Sequence, residues 1–208
     1  MVGISLVLAA GTGECEEAPA GAAQAPASTA LALSVRGAWT TVRALPGVHD
    51  DGRGTAIVQL DLHRTVWSRN GKVIEYVVGV VPMELAVGTV AVEASRSLDG
   101  RAVQSTAYGA GLDPLGLAFH LDRGVWRPFA TIRGGFRIFD RNVPNPRGTR
   151  FNFVADLGIG VRRRVGSSLW VSLEVDLHHV SNGGLGEANP GVNSIVVGLG
   201  LLRSRPAP

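Results

Sequence analysis

The stretch "LWVSLEVDLHHVSNGG", residues 169–184, decides the fold. Leu169, Val171, Leu173, Val175 and Leu177 fall on one parity, with Trp170, Ser172, Glu174, Asp176 and His178 on the other. Side chains of a β-strand point alternately to its two faces, so this spacing predicts a strand with one apolar and one largely polar face. The apolar row does not end cleanly: His179 and Ser181 continue it. Polar groups in line with an apolar face are costly unless they have partners or work.

The same period of two recurs outward from this stretch. Leu33, Val35, Gly37, Trp39 and Thr41 alternate with Ser34, Arg36, Ala38 and Thr40. Ala56, Val58, Leu60 and Leu62 alternate with Ile57, Gln59, Asp61 and His63. "RNGK" (69–72) is a strong two-residue hairpin signal leading into Ile74, Tyr76, Val78 and Val80. Leu115 to Leu121, Trp126 to Ile138, Phe151 to Val161 and Ile195 to Leu201 repeat the pattern, which predicts eight strands. The 28 glycines and the absence of any long helical pattern agree with an all-β chain.

Eight antiparallel strands can close into a small barrel filled by its own side chains. Charged residues make up only 18% of the 208 positions, against about 25% in soluble domains. No run reaches the roughly 18–20 apolar residues of a spanning helix. Trp39, Trp67, Trp126 and Trp170 lie near strand ends, as an interfacial aromatic girdle requires. The expected fold is therefore an all-β, eight-stranded antiparallel transmembrane β-barrel. Its inner face would hold Asp61, Glu75, Asp156, Glu174 and Asp176 with Arg127, Arg133, Arg137 and Arg162, alongside His63, His120 and His178. A soluble lipocalin-like barrel would show the same alternation turned inside out, with the apolar row lining a ligand cavity.

Residues 1–30 read as a leader: "MVGISLVLAAG" resembles the apolar part of a secretory signal, and an Ala/Pro-rich tail follows. Residues 31–208 then form the barrel, exported through that signal to the outer membrane. The segment 83–106 reads either as a long exposed loop or as extended strand edges. Cys15 is the only cysteine, so no disulfide framework exists. Lys72 is the only lysine among 20 basic residues, and the net charge of +3 has no basic block dense enough for nucleic acid. No zinc spacing or calcium loop is present, and neither a metal nor a cofactor is expected.

A histidine two residues from a serine on one strand face brings an imidazole near a hydroxyl, an arrangement suited to general-base activation of a nucleophile. Asn193 shares parity with Ile195 and Val197 on the last strand, and the turn between is short. The spacing alone also fits an interfacial histidine and a strand-ending serine.

"HVSNGG" (179–184) followed by "NPGVNS" (189–194), with "RPFATIRGGFRIFD" and "RFNFVADLGIGVRRR" before them, resembles the outer-membrane lipid A 3-O-deacylase (PagL) family of acyloxyacyl-hydrolase-like proteins. The resemblance covers roughly 31–203 and is strongest over the last 80 residues. It implies a serine esterase acting on the 3-position acyl chain of lipopolysaccharide, with outer-membrane lipid and lipid A as partners. Ser181 matches the nucleophile and His179 its base. Asn182 and Gly184 match positions associated with oxyanion donors, by side-chain amide and backbone N–H. The family's third catalytic member is a glutamate, and Asn193 stands at that position here. Glu187, in the turn, is the nearest carboxylate that could replace it, although it reads more simply as a solvated loop charge. Two readings of other classes compete: a non-catalytic structural or adhesion barrel of the outer membrane, and a soluble periplasmic lipid-binding barrel.

Overall fold

The computed structural model describes residues 28–38, 54–87, 89–90, 103–104, 106–143, 148–187, 189 and 191–205. The described chain runs β1 (Thr29–Ala38), β2 (Gly54–Arg69), β3 (Lys72–Val87), β4 (Thr89–Val90), β5 (Val103–Gln104), β6 (Ala107–Leu121), β7 (Trp126–Val143), β8 (Thr149–Arg164), β9 (Leu169–Ser181) and β10 (Val192–Arg205). Eight of these strands close an antiparallel barrel in the order β1-β10-β9-β8-β7-β6-β3-β2, while β4 and β5 form a separate two-stranded pair. Barrel closure is made by β1, which pairs over Thr29–Gly37 with β10 and over Thr29–Ala38 with β2. The leader expected at 1–30 lies outside the described residues up to position 27, as do Trp39 and Thr41.

The eight expected strands are all present, several of them longer than the alternation suggested. β3 continues to Val87 and β6 begins at Ala107. Within 83–106 the described residues thus extend strand edges and add the short β4–β5 pair. The "RNGK" turn is a two-residue hairpin with positive φ at both Asn70 (52°) and Gly71 (72°), the geometry that favours this residue pair.

The barrel has two kinds of end. Turns of 70–71, 122–125 and 165–168, with the start of β1 and the finish of β10, lie at one. The connections after β1, β3, β7 and β9 lie at the other, the long-loop end.

The apolar row of each strand faces outward. Leu31, Leu33 and Val35 on β1, Leu115, Leu117 and Phe119 on β6, and Val171, Leu173, Val175 and Leu177 on β9 are all exposed. An apolar belt of this extent is unsuited to water and fits a hydrocarbon surround. That excludes the inside-out soluble barrel.

The lumen is filled in layers. At the long-loop end Ala86, Ala107, Phe139, Val143, Val154 and Val180 form an apolar cap. In the middle lie crossed ion pairs. Arg36 reaches from β1 to Asp156 (3.1 Å) and Asp176 (3.3 Å), and Arg133 pairs with Glu174 (2.7 Å). Arg137 holds Glu84 (2.8 Å) and Asp113 (2.6 Å). His178 bridges Asp156 (2.6 Å) and Glu84 (3.4 Å). Glu75 sits between His63 (3.0 Å), His120 (3.3 Å) and Arg162 (3.2 Å). The inner-face charges expected from parity are therefore inside, ion-paired except for Asp61, which accepts from the Gln59 amide at 2.6 Å; Arg127 is only half-buried and bound to Asp122 at 2.8 Å.

The girdle expectation needs one correction. Trp67 and Trp126 are exposed at the short-turn end, but Trp170 is buried in the lumen with Ala30 and Leu202. Its parity with Ser172, Glu174 and Asp176 turns it inward, and the guanidinium of Arg127 lies over its ring at 4.0 Å. It plugs the barrel instead of anchoring it.

Candidate active site on the outer wall

Antiparallel register brings the polar end of β9 against two neighbours. Asn193 of β10 stands directly opposite His179, and Ala155 of β8 stands opposite it on the other side. Ser181 faces Phe153. The His179 Nδ1–H donates to Asn193 Oδ1 at 2.8 Å. That bond fixes the ring and places the proton on Nδ1, leaving the Nε2 lone pair free to accept another. His179 and Ser181 are half-buried, Asn193 is buried, and no hydrogen bond joins Ser181 Oγ to the ring in this structure. Glu187 is exposed in the following loop, and the imidazole Nδ1 is occupied by Asn193 instead.

Two adjacent glycines shape the turn after Ser181, Gly183 with φ of 63° and Gly184 with φ of 83°. Such angles suit residues without Cβ. The fully buried Asn182 organises this turn. Its Oδ1 accepts the Gly184 N–H at 2.9 Å, and its own backbone N–H donates to Asn189 Oδ1 at 3.0 Å. The two expected oxyanion positions thus lie together beside Ser181, with the Gly184 N–H engaged by Asn182. Asn189 was not singled out in the sequence; the Asn–Pro–Gly run around it is a turn signal, but its reach back to residue 182 depends on the loop's closed path. Gly191 is similarly constrained: a Cβ there would come within 3.2 Å of His179 Cε1.

An apolar groove of about 600 Å³ opens on the outer wall at His179. Its floor follows one row of register partners: His179 to Ala155 on β8, Ala155 to Gly134 on β7, and Gly134 to Leu115 on β6. Small side chains at 155 and 134 make the channel. The next row, Leu177, Leu157, Ile132, Leu117 and Tyr76, forms one wall. The floor slopes. His179 is ten residues from the short-turn end of β9, whereas Leu115 is six from that of β6. Three strand spacings give a length of about 14 Å, room for roughly ten methylenes of an extended chain.

Chemically, the arrangement offers a hydroxyl, an oriented imidazole and an apolar trough on one surface. Among the described residues, no group of three or more His, Cys, Asp or Glu is placed to hold a metal ion.

No curated protein matches this chain in sequence. The solved structure described as the outer membrane enzyme PagL matches 81% of this chain and 97% of its own, at 14% identity and a TM-score of 0.57. Neisserial surface protein A (10% identity, 85% of this chain and 97% of that one, TM-score 0.42) and the outer membrane protein OprG from Pseudomonas aeruginosa (11%, 88% and 98%, TM-score 0.47) are further matches. The first establishes the barrel fold. The family profile described as "Lipid A 3-O-deacylase (PagL)" matches residues 84–201, more than half of the sequence and all of the segment that carries His179, Ser181 and Asn193. A closed eight-stranded barrel with that profile across five of its strands is a member of the lipid A 3-O-deacylase (PagL) family.

Proposed function

We propose that this protein is an outer-membrane serine esterase that removes the 3-position acyl chain of lipid A. The observation that carries the reading is the union of an oriented imidazole, at the end of the strand face shared with Ser181, and an apolar trough that starts at the imidazole. The long-loop end faces the cell exterior, as in barrels with short periplasmic turns. His179 then stands about 25 Å along the barrel axis from Leu169, taking ~3.3 Å per residue and a tilt of about 40°. That is the depth of the sugar–acyl junction in the outer leaflet, and the trough slopes from there toward the bilayer centre.

In the reaction, His179 Nε2 takes the proton of Ser181 Oγ as the oxygen attacks the ester carbonyl carbon. The resulting oxyanion is met by the Asn182 amide and by the Gly184 N–H, which exchanges Asn182 Oδ1 for the substrate oxygen. Collapse breaks the bond to the sugar oxygen, which leaves with the proton from Nε2. Water, deprotonated by the same nitrogen, then cleaves the acyl-serine and releases a 3-hydroxy fatty acid. Asn193 orients the ring throughout but adds no charge to stabilise the imidazolium.

The test is mass spectrometry of lipid A after incubation with the folded protein in detergent. Loss of one 3-hydroxyacyl chain supports the reading; unchanged lipid A from a folded barrel favours the non-catalytic alternative, for which Asn193 is the supporting feature. Asn193→Glu is expected to raise kcat about tenfold, the difference between a neutral and a charge-assisted hydrogen bond. An unchanged rate would show that residue 193 does not act on His179.

The trough makes a separate prediction. A Cβ at Gly134 would meet only Leu115, at 3.9 Å or more, and its φ is ordinary, so a larger residue fits without backbone strain. Gly134→Leu should leave the barrel folded and lower deacylation about a hundredfold by displacing the chain, with Gly134→Ala close to wild type. Equal rates for both variants would remove the trough from the substrate's path.

A further inference from the structure

The short-turn end of the barrel carries a charge pattern that the esterase reading does not use. Arginine stands on three outward apolar rows there: Leu157 and Ile159 lead to Arg163 at the end of β8, Leu199 and Leu201 to Arg203 near the end of β10, and on β2 Arg64 follows Leu60 and Leu62 with exposed Val66 beyond it. Arg69, Lys72 and Arg123 add exposed cations at the turns of the same end. The single exposed acid among the described residues there is Asp122, already bound to Arg127 at 2.8 Å. The other end is balanced: among the described residues its exposed charges are Arg141 and Arg150 against Asp140 and Glu187. Trp67 and Trp126 are exposed beside the cations, and the Arg163 guanidinium lies 5.4 Å from the Trp126 ring centre.

We propose that this end is a binding belt for the headgroups of anionic glycerophospholipids in the periplasmic leaflet, an inference that rests on the outer-membrane placement given above. Arginine at the foot of an apolar row lays its methylenes along hydrocarbon and lifts its charge to the headgroup layer. Its forked guanidinium matches a phosphodiester with two parallel hydrogen bonds. The exposed indoles mark the same depth, since Trp rings settle at the interface. These exposed cations, with no free acid among them, therefore favour lipids of net negative charge over zwitterionic ones. The belt lies at the opposite end from His179, so it holds the barrel at a fixed depth and leaves the outer-wall site alone.

The experiment is native mass spectrometry of the full chain released from micelles containing equal amounts of phosphatidylglycerol and phosphatidylethanolamine. Wild type should retain phosphatidylglycerol with roughly tenfold preference. The triple variant Arg64→Gln, Arg163→Gln, Arg203→Gln should lose that preference, while Arg150→Gln keeps it. Equal retention of both lipids by wild type overturns the belt, and so does a preference that survives in the triple variant. Suppression of phosphatidylglycerol retention by inorganic phosphate at equal concentration would also overturn it, by showing a generic anion site. Insertion into phosphatidylcholine vesicles, read by heat-modifiable migration, separates the two readings. A protein that inserts but shows no lipid preference lacks the belt, whereas one that never inserts is not a membrane barrel at all.

Discussion

Ser181→Ala should remove lipid A deacylation entirely at the sensitivity of mass spectrometry, a fall of about 10⁴-fold or more, without moving the barrel's unfolding midpoint. The proposed nucleophile is a half-buried hydroxyl with no hydrogen bond to the ring, so its loss leaves no buried donor or acceptor stranded. The turn behind it is held by other groups, Asn182 with Gly184 and Asn189, which the substitution does not touch. What disappears is the attacking oxygen. In serine hydrolases the residual rate without the nucleophile comes only from donors and binding, and removing one partner of the unit costs nearly as much as removing all. His179→Ala should fall to the same floor, and the double variant no lower. A Ser181→Ala protein that still released a 3-hydroxy fatty acid would exclude the acyl-serine route and shift the chemistry to water activated by His179.

The second large effect is on stability. Arg137→Leu should destabilise the folded barrel by about 3–5 kcal/mol, because breaking a buried ion pair leaves its partners uncompensated. Arg137 is fully buried and gathers Glu84 at 2.8 Å with both oxygens of Asp113 at 2.6 and 3.1 Å, carboxylates from two other strands. Without the guanidinium, Asp113 keeps Gln59 Nε2 at 3.2 Å and Glu84 keeps His178 at 3.4 Å. Neither partner lies between the two carboxylates as the guanidinium does, and Asp113 is left with no cation. The measurement is the denaturant midpoint of the detergent-folded protein. Asp122→Ala, which breaks the exposed pair with Arg127, is the control and should cost at most about 1 kcal/mol. Equal shifts for the two variants would mean that lumenal pairing contributes little to holding the strands together.

Much of this architecture was legible because a strand's parity is written directly in sequence. Alternation alone separated Leu173 and Val175, which face outward, from Glu174 and Asp176, which face the lumen. The same rule, applied strictly, places Trp170 inside with Ser172; grouping it with the other indoles by position along the strand misassigned it. Arg36 carried an equally plain parity signal, but Glu84 and Asp113 share the parity of the outward Val80 and Leu115 and are turned inward by register shifts between Val81 and Glu84 and between Leu112 and Leu115. Which groups meet across the lumen was not written in parity at all. Arg36 meets Asp156 across 120 residues of chain, a contact set by barrel closure and not by any local pattern. The site divides in the same way. His179, Ser181 and Asn182 share one short segment, and family resemblance marked them together with Asn193. The trough was illegible because its floor is one residue from each strand. Only the register that sets Ala155 against His179 and Gly134 against Ala155 shows that two small side chains in otherwise large rows are neighbours.

That trough opens sideways, through the wall and not through either mouth of the barrel. Whatever occupies it arrives by two-dimensional diffusion in the plane of the membrane, so encounter is governed by the ligand's share of the surrounding surface and not by its amount per volume of water. Diluting a bilayer or micelle with inert lipid would slow occupancy at constant bulk concentration, and a released hydrocarbon chain would leave into the same sheet from which it came.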